Sequence, residues 1–386
     1  MKKKIVILGS TGSIGKSLLK LLKNKKKNFD VLLLTANNNY KELLNQVKIF
    51  NVKNVIIKNK KSLEKFKKLN KNRNLKIYNN FDDLDEIFKA KVDYTMNSIV
   101  GLDGLEPTLK VIKYTKTLAI ANKESIICGW NLIKKKLIAN KTKFIPVDSE
   151  HFSIWYAINN FKISSIDKIF ITASGGPLLN YTKNKMKNIL IKDVLKHPTW
   201  KMGKKISIDS STLMNKVFEV IEAKNIFNIG LDKISILIHP NSYIHALICF
   251  NNGMTKIIAH ETTMDIPILN SIYNNNINYK KKKINLKYLN NLNLSKVDTN
   301  RFPIIKILKT IPQKISLYET VLVSANDELV RLYLKKELNY KDISTKLFKI
   351  LNLKEFIKLK NISPTKLSDI INLDKYVRLK IMSKSV

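Results

Sequence analysis

The first 150 residues alternate short apolar runs with lysine-rich amphipathic stretches, and this alternation restricts the possible folds more than any other feature. Each apolar run has the length of a strand, and each following stretch has apolar residues at helical spacing. The runs are KIVIL (4–8), FDVLLLT (29–35), NVIIK (54–58), VDYTMNSIV (92–100), TLAIA (117–121) and KFIPV (143–147). Strands that alternate with helices predict a parallel sheet with crossover helices, an α/β domain of the Rossmann-like type.

A glycine-rich loop, Gly9-Ser10-Thr11-Gly12-Ser13-Ile14-Gly15, joins the first predicted strand to the first predicted helix. Its glycines allow a tight turn, and the helix N-terminus presents N–H groups to a pyrophosphate, so the context favours a dinucleotide over a glycine turn without a ligand. The second strand leads into Asn37-Asn38-Asn39, where an NAD site usually has a carboxylate for the ribose hydroxyls. The missing carboxylate favours NADPH.

The rest of the chain has a different pattern. Residues 150–285 mix a helix after His151, a strand at 168–173, a Gly/Pro/Trp-containing loop at 174–205, a helix at about 211–227 and three further strands, and the chain becomes helical again from 303. We therefore predict a Rossmann-like domain at 1–147, an α+β catalytic domain at 148–285, a linker at 286–302 and a C-terminal helical domain at 303–386.

The net charge of +40 arises from 70 Lys+Arg against 30 Asp+Glu. A basic surface attracts nucleic acid, but lysine is spread along the whole chain without the arginine and aromatic clusters of a specific interface. Compositional drift is therefore the favoured interpretation, and specific nucleic-acid binding is not expected. Only two cysteines occur, which fits a reducing compartment, and no apolar run approaches the ~20 residues of a membrane span. We expect a cytoplasmic protein without membrane contact.

Two groups of carboxylates are candidate metal ligands. Asp148-Ser149-Glu150 follows the strand KFIPV, and in an extended chain its two carboxylates would point the same way. Glu219 and Glu222 lie three residues apart on the predicted helix, with Asn215 on the same face. Such hard oxygen ligands suit Mg²⁺ or Mn²⁺. Salt-bridged carboxylates explain the same spacing, so the residues alone leave both interpretations open.

Two segments suit a phosphate group. Ser174-Gly175-Gly176-Pro177 can form a nest of backbone N–H groups beside a hydroxyl. Ser210-Ser211-Thr212 opens the predicted helix and is followed by Asn215 and Lys216, which would complete a phosphate cradle at a helix N-terminus. Ordinary helix capping accounts for the serine as well.

Among the five histidines, His197 stands out because its loop also contains Trp200 and Met202 between glycine-bearing segments, as in a lid over a substrate. His260-Glu261 begins like a zinc-protease motif, but the second histidine is missing, which excludes that function.

Taken together, these residues resemble the 1-deoxy-D-xylulose 5-phosphate reductoisomerase family. The resemblance extends from residue 1 into the C-terminal helices. It is carried by ILGSTGSIG (7–15), ANKES (121–125), PVDSEH (146–151), SGGP (174–177), HPTWKMGKKISIDSSTLMNK (197–216), EVIEA (219–223) and HPNSYIH (239–245). The resemblance implies a homodimeric enzyme that uses NADPH and Mg²⁺ or Mn²⁺. Its reaction would rearrange and reduce 1-deoxy-D-xylulose 5-phosphate to 2-C-methyl-D-erythritol 4-phosphate in non-mevalonate isoprenoid precursor biosynthesis.

The resemblance also implies residue roles. The NADPH-binding residues would be Thr11, Gly12, Ser13, Ile14, Asn37, Asn38, Asn39, Asn122, Glu124 and Gly203. The metal ligands would be Asp148, Glu150 and Glu219, with Glu222 beside them. The phosphorylated sugar would contact Lys123, Ser149, Glu150, Ser174, His197, Ser210, Asn215, Lys216 and Glu219. Lys123 and the three metal ligands would carry the catalysis, and Trp200 and Met202 would belong to a flexible lid.

One departure from the family pattern affects cofactor choice. The family commonly has a Gly-Lys/Arg-Asn stretch where this chain has Asn37-Asn38-Asn39, so the basic residue that would favour NADPH over NADH is missing at 38. Two alternatives remain: a dehydrogenase with a cysteine nucleophile, for which Cys128 and Cys249 lack an activating setting, and a basic nucleic-acid-binding protein.

Overall fold

The structure is a computed structural model that describes residues 2–182, 185–187, 189–200, 202–273 and 286–383. Its described residues form two compact units. The first comprises those within Met1–Ser125, Ile133–Phe152 and Met264–Tyr279, and the second those within Ile126–Leu132, Ser153–Thr263 and Lys280–Val386. The predicted domain boundary at 285 lies outside the described residues, and the four-part division of the chain stays a prediction.

The strands in the described residues are β1 Lys3–Leu8, β2 Phe29–Ala36, β3 Asn54–Ile57, β4 Lys76–Tyr78, β5 Val92–Asn97, β6 Thr115–Ile120, β7 Lys143–Pro146, β8 Ile166–Ala173, β9 Ile234–Ile238, β10 Ile244–Phe250, β11 Thr255–Ala259 and β12 Ser295–Lys296.

The α-helices are α1 Ser13–Lys23, α2 Tyr40–Phe50, α3 Lys60–Leu69, α4 Leu84–Ile87, α5 Leu105–Val111, α6 Lys123–Ala139, α7 Ser149–Ile158, α8 Ile191–Leu195, α9 Lys204–Thr212, α10 Met214–Phe227, α11 Asp265–Tyr273, α12 Leu286–Asn290, α13 Leu317–Leu334, α14 Tyr340–Leu351, α15 Lys354–Ile357 and α16 Leu367–Met382. In the described part of the chain, no helix combines the length and the apolar character that crossing a membrane requires.

The first unit is built on a seven-stranded sheet in the order β4-β3-β2-β1-β5-β6-β7, and every pair is parallel. The strand order reverses direction between β1 and β5. In open parallel sheets, ligands bind beyond the carboxyl ends of the strands at such a switch point. This sheet confirms the prediction of a Rossmann-like α/β fold.

A segment from late in the chain completes the core of the first unit. Ile268 and Ile272 of α11 are fully buried with side chains of β1, β2 and α1. The Tyr94 hydroxyl of β5 hydrogen-bonds the Ser271 hydroxyl at 2.7 Å, and burial raises the pKa of this tyrosine. Part of the predicted catalytic region therefore contributes to the first core.

The second unit contains a mixed five-stranded sheet in the order β11-β10-β8-β9-β12. The β8–β9 pair is parallel and the other pairs are antiparallel. Its core joins this sheet to α10, for example through Ile171, Val220 and Phe227. Helices predominate from residue 303 onward, although the IIKILKTI segment forms a 3-10 helix, Pro303–Thr310, rather than an α-helix.

The helix predicted at about 211–227 is interrupted. The structure has α9 up to Thr212 and α10 from Met214, with Leu213 between them at φ 65°. This conformation is rare for a residue with a branched side chain, so the sequence carries no signal for it. Ser210 and Ser211 consequently end one helix instead of opening the next.

Candidate functional site

The glycine-rich loop lies at the carboxyl end of β1 and is packed too closely for a side chain at Gly9 and Gly15. A Cβ on Gly15 would lie 2.6 Å from the Gly9 carbonyl oxygen and 2.6 Å from the Ser10 Cα. Gly9 has φ 77°, and its N–H donates to Thr35 Oγ1 at 2.8 Å. Gly12 caps α1 without a side-chain hydrogen bond, so the first-turn amides face a position where an anion binds favourably.

Asn37, Asn38 and Asn39 follow β2 at the same edge of the sheet and are exposed. Asn39 is the N-cap of α2, because its side-chain oxygen accepts a hydrogen bond from Glu42 N at 3.3 Å. The Asn38 carbonyl accepts from Ser62 Oγ at 3.1 Å. The Asn39 side chain therefore has a structural role, and cofactor binding by the three residues stays a prediction.

The segment 122–124 begins α6 at the carboxyl end of β6. Asn122 caps this helix by accepting from Ser125 N at 2.7 Å, and its amide donates to the Gly101 carbonyl at 2.6 Å. Lys123 and Glu124 are buried although both are ionisable. Lys123 Nζ lies 3.1 Å from Asp148 Oδ2, which balances the charge of both groups.

Asp148 follows β7 and caps α7. Its backbone oxygen accepts from Phe152 N at 2.8 Å, and its Oδ1 accepts from Glu150 N at 3.2 Å. The chain is therefore helical from Ser149 onward, and the extended arrangement considered for Asp148 and Glu150 does not occur. An aspartate followed by a glutamate favours a helix start, because both stabilise the N-terminus. Ser149 Oγ donates to Glu150 Oε2 at 2.5 Å.

Sequence reasoning gave His151 no role, yet it holds the Asp148 carboxylate. Its Nδ1 lies 3.0 Å from Asp148 Oδ1, and the side chain is fully buried. With the Lys123 ammonium on Oδ2, both oxygens of Asp148 are oriented by neighbours. The signal was the three-residue spacing from Asp148, which brings the two side chains together once a helix begins there.

In the second unit, His197 joins the two serines that were predicted to contact phosphate. Its Nε2 lies 3.1 Å from Ser174 Oγ and 3.0 Å from Ser210 Oγ. The backbone at Gly176 also lies close to the backbone at Ser210, since a Cβ on Gly176 would lie 2.5 Å from the Ser210 carbonyl oxygen. Gly175 and Gly176 have φ values of 83° and 71°, which permit this turn.

The hydrogen bonds of His197 define its tautomer. Its Nδ1 accepts from Trp200 N at 3.0 Å and from Thr199 N at 3.3 Å, so the ring proton is on Nε2. Burial, and then the Lys216 charge, lower the pKa of His197 to about 4. The imidazole is therefore neutral near pH 7 and donates to the serine oxygens.

The first turns of α10 carry three polar residues predicted for the site. Lys216 Nζ lies 2.5 Å from Glu219 Oε2, and the Asn215 amide hydrogen-bonds the other oxygen of the same carboxylate. Glu219 and Glu222 are each 1% exposed. Helical spacing brings Asn215 and Glu219 together, as the sequence predicted, and it also places Lys216 beside the same carboxylate.

The segment around Trp200 packs against a pair of histidines. The Trp200 ring meets His245 edge-on at a centroid distance of 6.3 Å, and His245 stacks on His260 at 3.7 Å. Trp200 and Met202 are partly buried, and Gly203 is exposed at the start of α9. A role of this segment as a lid stays a prediction.

Three family models match the chain. The model described as 1-deoxy-D-xylulose 5-phosphate reductoisomerase matches residues 5–129. The model of the C-terminal domain of that reductoisomerase matches residues 144–227, and one described as the DXP reductoisomerase C-terminal domain matches residues 260–380.

Curated relatives cover almost the whole chain. The 1-deoxy-D-xylulose 5-phosphate reductoisomerase of Pelagibacter ubique is 58% identical over 365 residues, which is 94% of each chain. That of Wolbachia pipientis wMel is 38% identical over 344 residues, 88% of this chain and 87% of the relative.

Solved structures of such enzymes are also similar. The reductoisomerase of Zymomonas mobilis in complex with NADPH has a TM-score of 0.87 at 29% identity and covers 99% of both chains. A reductoisomerase in complex with NADPH, fosmidomycin and magnesium has a TM-score of 0.91 at 27% identity, covering 99% of this chain and 98% of the other.

Proposed function

The chain belongs to the 1-deoxy-D-xylulose 5-phosphate reductoisomerase family, and from this membership we propose that it converts 1-deoxy-D-xylulose 5-phosphate into 2-C-methyl-D-erythritol 4-phosphate. The reaction serves isoprenoid precursor biosynthesis and uses NADPH and a divalent metal ion.

The hydrogen-bond directions around His197 carry the proposal, because they suit a phosphorylated substrate. The Nε2–H of His197 is shared between Ser174 Oγ and Ser210 Oγ, so both serine oxygens accept. Ser174 Oγ also accepts from Gly176 N at 3.1 Å. The two hydroxyl hydrogens therefore remain available to donate to an anion. With Asn215 and Lys216 as further donors, we assign this group to the substrate phosphate.

The first unit supports NADPH binding. Gly9 and Gly15 leave no room for a side chain, and no side chain caps the N-terminus of α1, so its first-turn amides are left for the pyrophosphate. We assign Thr11, Gly12, Ser13 and Ile14 to the cofactor phosphates, with the remainder of the cofactor on residues 37–39, Asn122, Glu124 and Gly203. NADPH supplies the hydride of the reduction.

The chemistry of Asp148, Glu150 and Glu219 supports their assignment as metal ligands. All three offer carboxylate oxygens, which Mg²⁺ and Mn²⁺ prefer. Glu150 is 8% and Glu219 1% exposed, and a metal ion would add to the Lys216 ammonium in offsetting the cost of burying these charges. The metal ion supplies a Lewis acid that polarises the substrate oxygens.

The surrounding residues orient these ligands and move protons. Lys123 and His151 fix the two oxygens of Asp148, while Lys216 and Asn215 fix those of Glu219. We propose that Lys123 Nζ exchanges a proton with the substrate and that Ser149 contacts the sugar. Phosphate binding at His197 and its serines orders the substrate, so that its binding energy favours the rearrangement.

Assembly and location are further parts of the proposal. We propose a homodimer, as the family resemblance implies. Cys128 and Cys249 form no disulfide, which suits a reducing compartment such as the cytoplasm. We also propose a functional division of the chain into an NADPH-binding region, a catalytic region with the lid, and a helical C-terminal region.

The test follows NADPH oxidation at the nicotinamide absorbance with 1-deoxy-D-xylulose 5-phosphate and Mg²⁺ or Mn²⁺. We expect turnover that EDTA abolishes and that Glu219→Gln reduces by at least about 10²-fold, since a ligand charge is lost. A parallel assay with NADH measures the cofactor preference that Asn38 allows.

Glu328→Gln is the matched control, because Glu328 is 2% exposed and pairs with Arg331 in the second unit without a site role. It removes a buried charge of the same kind, and its turnover should stay within a few fold of the parent protein. The proposed reaction would be refuted by a folded, metal-loaded protein that does not oxidise NADPH with this substrate.

A further inference from the structure

The corner between α9 and α10 holds an unfavourable backbone conformation. Leu213 connects the two helices at φ 65° with its side chain 1% exposed. The proposed phosphate donors lie on either side of it, Ser210 before and Asn215 and Lys216 after. A non-glycine residue keeps such a conformation only where the surrounding structure imposes it.

Three contacts from the C-terminal helices impose the corner. Asn326 Nδ2 of α13 donates to Asp209 Oδ1 of α9 at 2.8 Å. Glu319 Oε1 of α13 lies 3.0 Å from Lys224 Nζ of α10.

The third contact comes from α14, where the Tyr340 hydroxyl donates to Ser211 Oγ at 3.1 Å. The first two contacts lie in the interior, and the third is partly buried. Asp209 is 2% exposed, and Glu319 and Asn326 are fully buried.

Glu319 and Asn326 act from one face of α13. They are seven residues apart, which is two helical turns, so their side chains project in nearly the same direction. One of them binds α10 and the other binds α9. A single rigid helix thus fixes the angle between the two helices that carry the phosphate donors.

Lys224, Glu319 and Asp209 each have a further partner within the protein. Lys224 Nζ also donates to the Pro312 carbonyl at 3.0 Å, and Glu319 Oε2 accepts from Ser316 Oγ at 2.6 Å. Asp209 has a second partner in Lys205 Nζ at 3.3 Å. Such enclosed polar contacts restrain geometry more strictly than apolar packing, since they tolerate little displacement.

We propose that Glu319 and Asn326 are positioning residues for the substrate phosphate: α13 holds the α9–α10 corner so that Ser210, Asn215 and Lys216 converge on one anion. This inference rests on the proposed function and deepens it, because none of these α13 residues belongs to the predicted site. Their loss weakens phosphate binding before it affects the chemical step.

The first test is Asn326→Asp, which sets two carboxylates against each other at the α9 contact. We expect the KM for 1-deoxy-D-xylulose 5-phosphate to rise by about ten- to a hundred-fold, while the KM for NADPH stays unchanged. The double variant Asp209→Asn/Asn326→Asp restores one donor and one acceptor, and it should recover most of the substrate affinity. Asn326→Ser removes the amide donor without adding a charge, and it replaces Asn326→Asp in this test if the aspartate variant does not fold.

The second test separates positioning from stability. Glu319→Gln leaves the Lys224 ammonium buried without its anion and should lower both the melting temperature and the substrate affinity. Lys224→Met/Glu319→Gln buries no unpaired charge and should regain the melting temperature, yet its KM should stay raised because the link from α13 to α10 is missing. Glu355→Gln, which breaks an exposed ion pair with Lys380, is the control and should change neither quantity.

Calorimetric titration with inorganic phosphate distinguishes a failure of the positioning role from a failure of the proposed function. An active wild-type protein with unchanged substrate and phosphate affinity in the folded α13 variants would overturn the positioning role and leave the function intact. Recovery of the KM together with the melting temperature in the double variant at Lys224 and Glu319 would also overturn it. A wild-type protein without turnover would reject the proposed function. Comparing the phosphate affinities of the wild-type protein and the α13 variants would still test whether α13 positions the phosphate donors.

Discussion

At the scale of single residues, His197 shows how an environment fixes a protonation state. Two backbone N–H groups occupy Nδ1, and burial opposes a second proton. The pKa of about 4 lies below the ordinary value of 6.5. Between these values the unfolded chain takes up a proton that the folded one does not, so this residue's contribution to stability falls as the pH drops from 6.5 towards 4.

We predict that His197 titrates with a midpoint near 4 in the folded protein. NMR of the imidazole Cε1–H, assigned with His197→Gln, measures it directly. A midpoint near 6.5 would show that the imidazole is solvated and that the Nδ1 contacts are not maintained in solution.

The glycines of the nucleotide loop differ in what they allow. At Gly15 an alanine Cβ would meet backbone atoms at 2.6 Å, whereas at Gly12 the nearest atom lies at 3.4 Å. Gly15→Ala should therefore destabilise the protein by roughly 1–3 kcal/mol, while Gly12→Ala should fold normally. We expect Gly12→Ala to weaken NADPH binding, because it places a methyl group where the cofactor phosphates are proposed to approach the backbone of the loop.

Thermal unfolding and NADPH titration of both variants check this pair of effects. Equal stability of the two variants would contradict the packing argument. An unchanged NADPH affinity in Gly12→Ala would contradict the proposed approach of the cofactor to the loop.

The sequence predicts the mutual arrangement of candidate site residues only where they lie close together along the chain. Asn215 and Glu219 are four residues apart, so helical spacing predicts that their side chains meet on one face of the helix. Ser174, His197 and Ser210 are linked only by the tertiary fold, and spacing gives no evidence for their hydrogen bonds. The same holds for Asn326, whose contact with Asp209 joins positions more than a hundred residues apart.

At the scale of elements, helix capping explains why one of the three consecutive asparagines after β2 is an asparagine. Asn39 caps α2, and this role accounts for an asparagine at position 39 without any contact to the cofactor. We predict that Asn39→Ala lowers the free energy of unfolding by about 1 kcal/mol, the usual value of such a cap. Asn38→Ala alters an exposed side chain in the same loop and should cost little.

Denaturant unfolding of the two variants measures the difference. Equal stabilities would contradict the capping role. If Asn38→Ala weakens NADPH binding and leaves the stability unchanged, position 38 belongs to the cofactor site.

Elements with strong periodicity were predicted well, and short or irregular ones were not. The predicted strands in 1–150 correspond to β1, β2, β3, β5, β6 and β7. The strand β4 escaped prediction because three residues, KIY, cannot display a period. The break at Leu213 escaped because tertiary contacts, not local preference, impose it.

At the scale of the whole molecule, the net charge of +40 has a thermodynamic consequence. Like charges repel in the compact state, and salt screens them. Raising KCl from about 20 to about 300 mM shortens the screening length from roughly 20 to roughly 6 Å. We therefore predict a melting temperature that rises with salt.

Differential scanning calorimetry in KCl and in NaCl provides the measurement, and the two salts should act alike because screening depends on ionic strength. A flat or falling melting temperature would show that attractive pairs, such as Lys110 with Glu106, outweigh the repulsion.

The dependence of the first core on α11 has a consequence for the order in which the protein acquires its structure during synthesis. More than a hundred residues leave the ribosome between the end of β7 and the start of α11. Until then the nascent sheet lacks Ile268 and Ile272, and the Tyr94 hydroxyl lacks its partner. The first unit emerges early but matures late, so the nascent chain carries an open apolar surface that chaperones would be expected to cover.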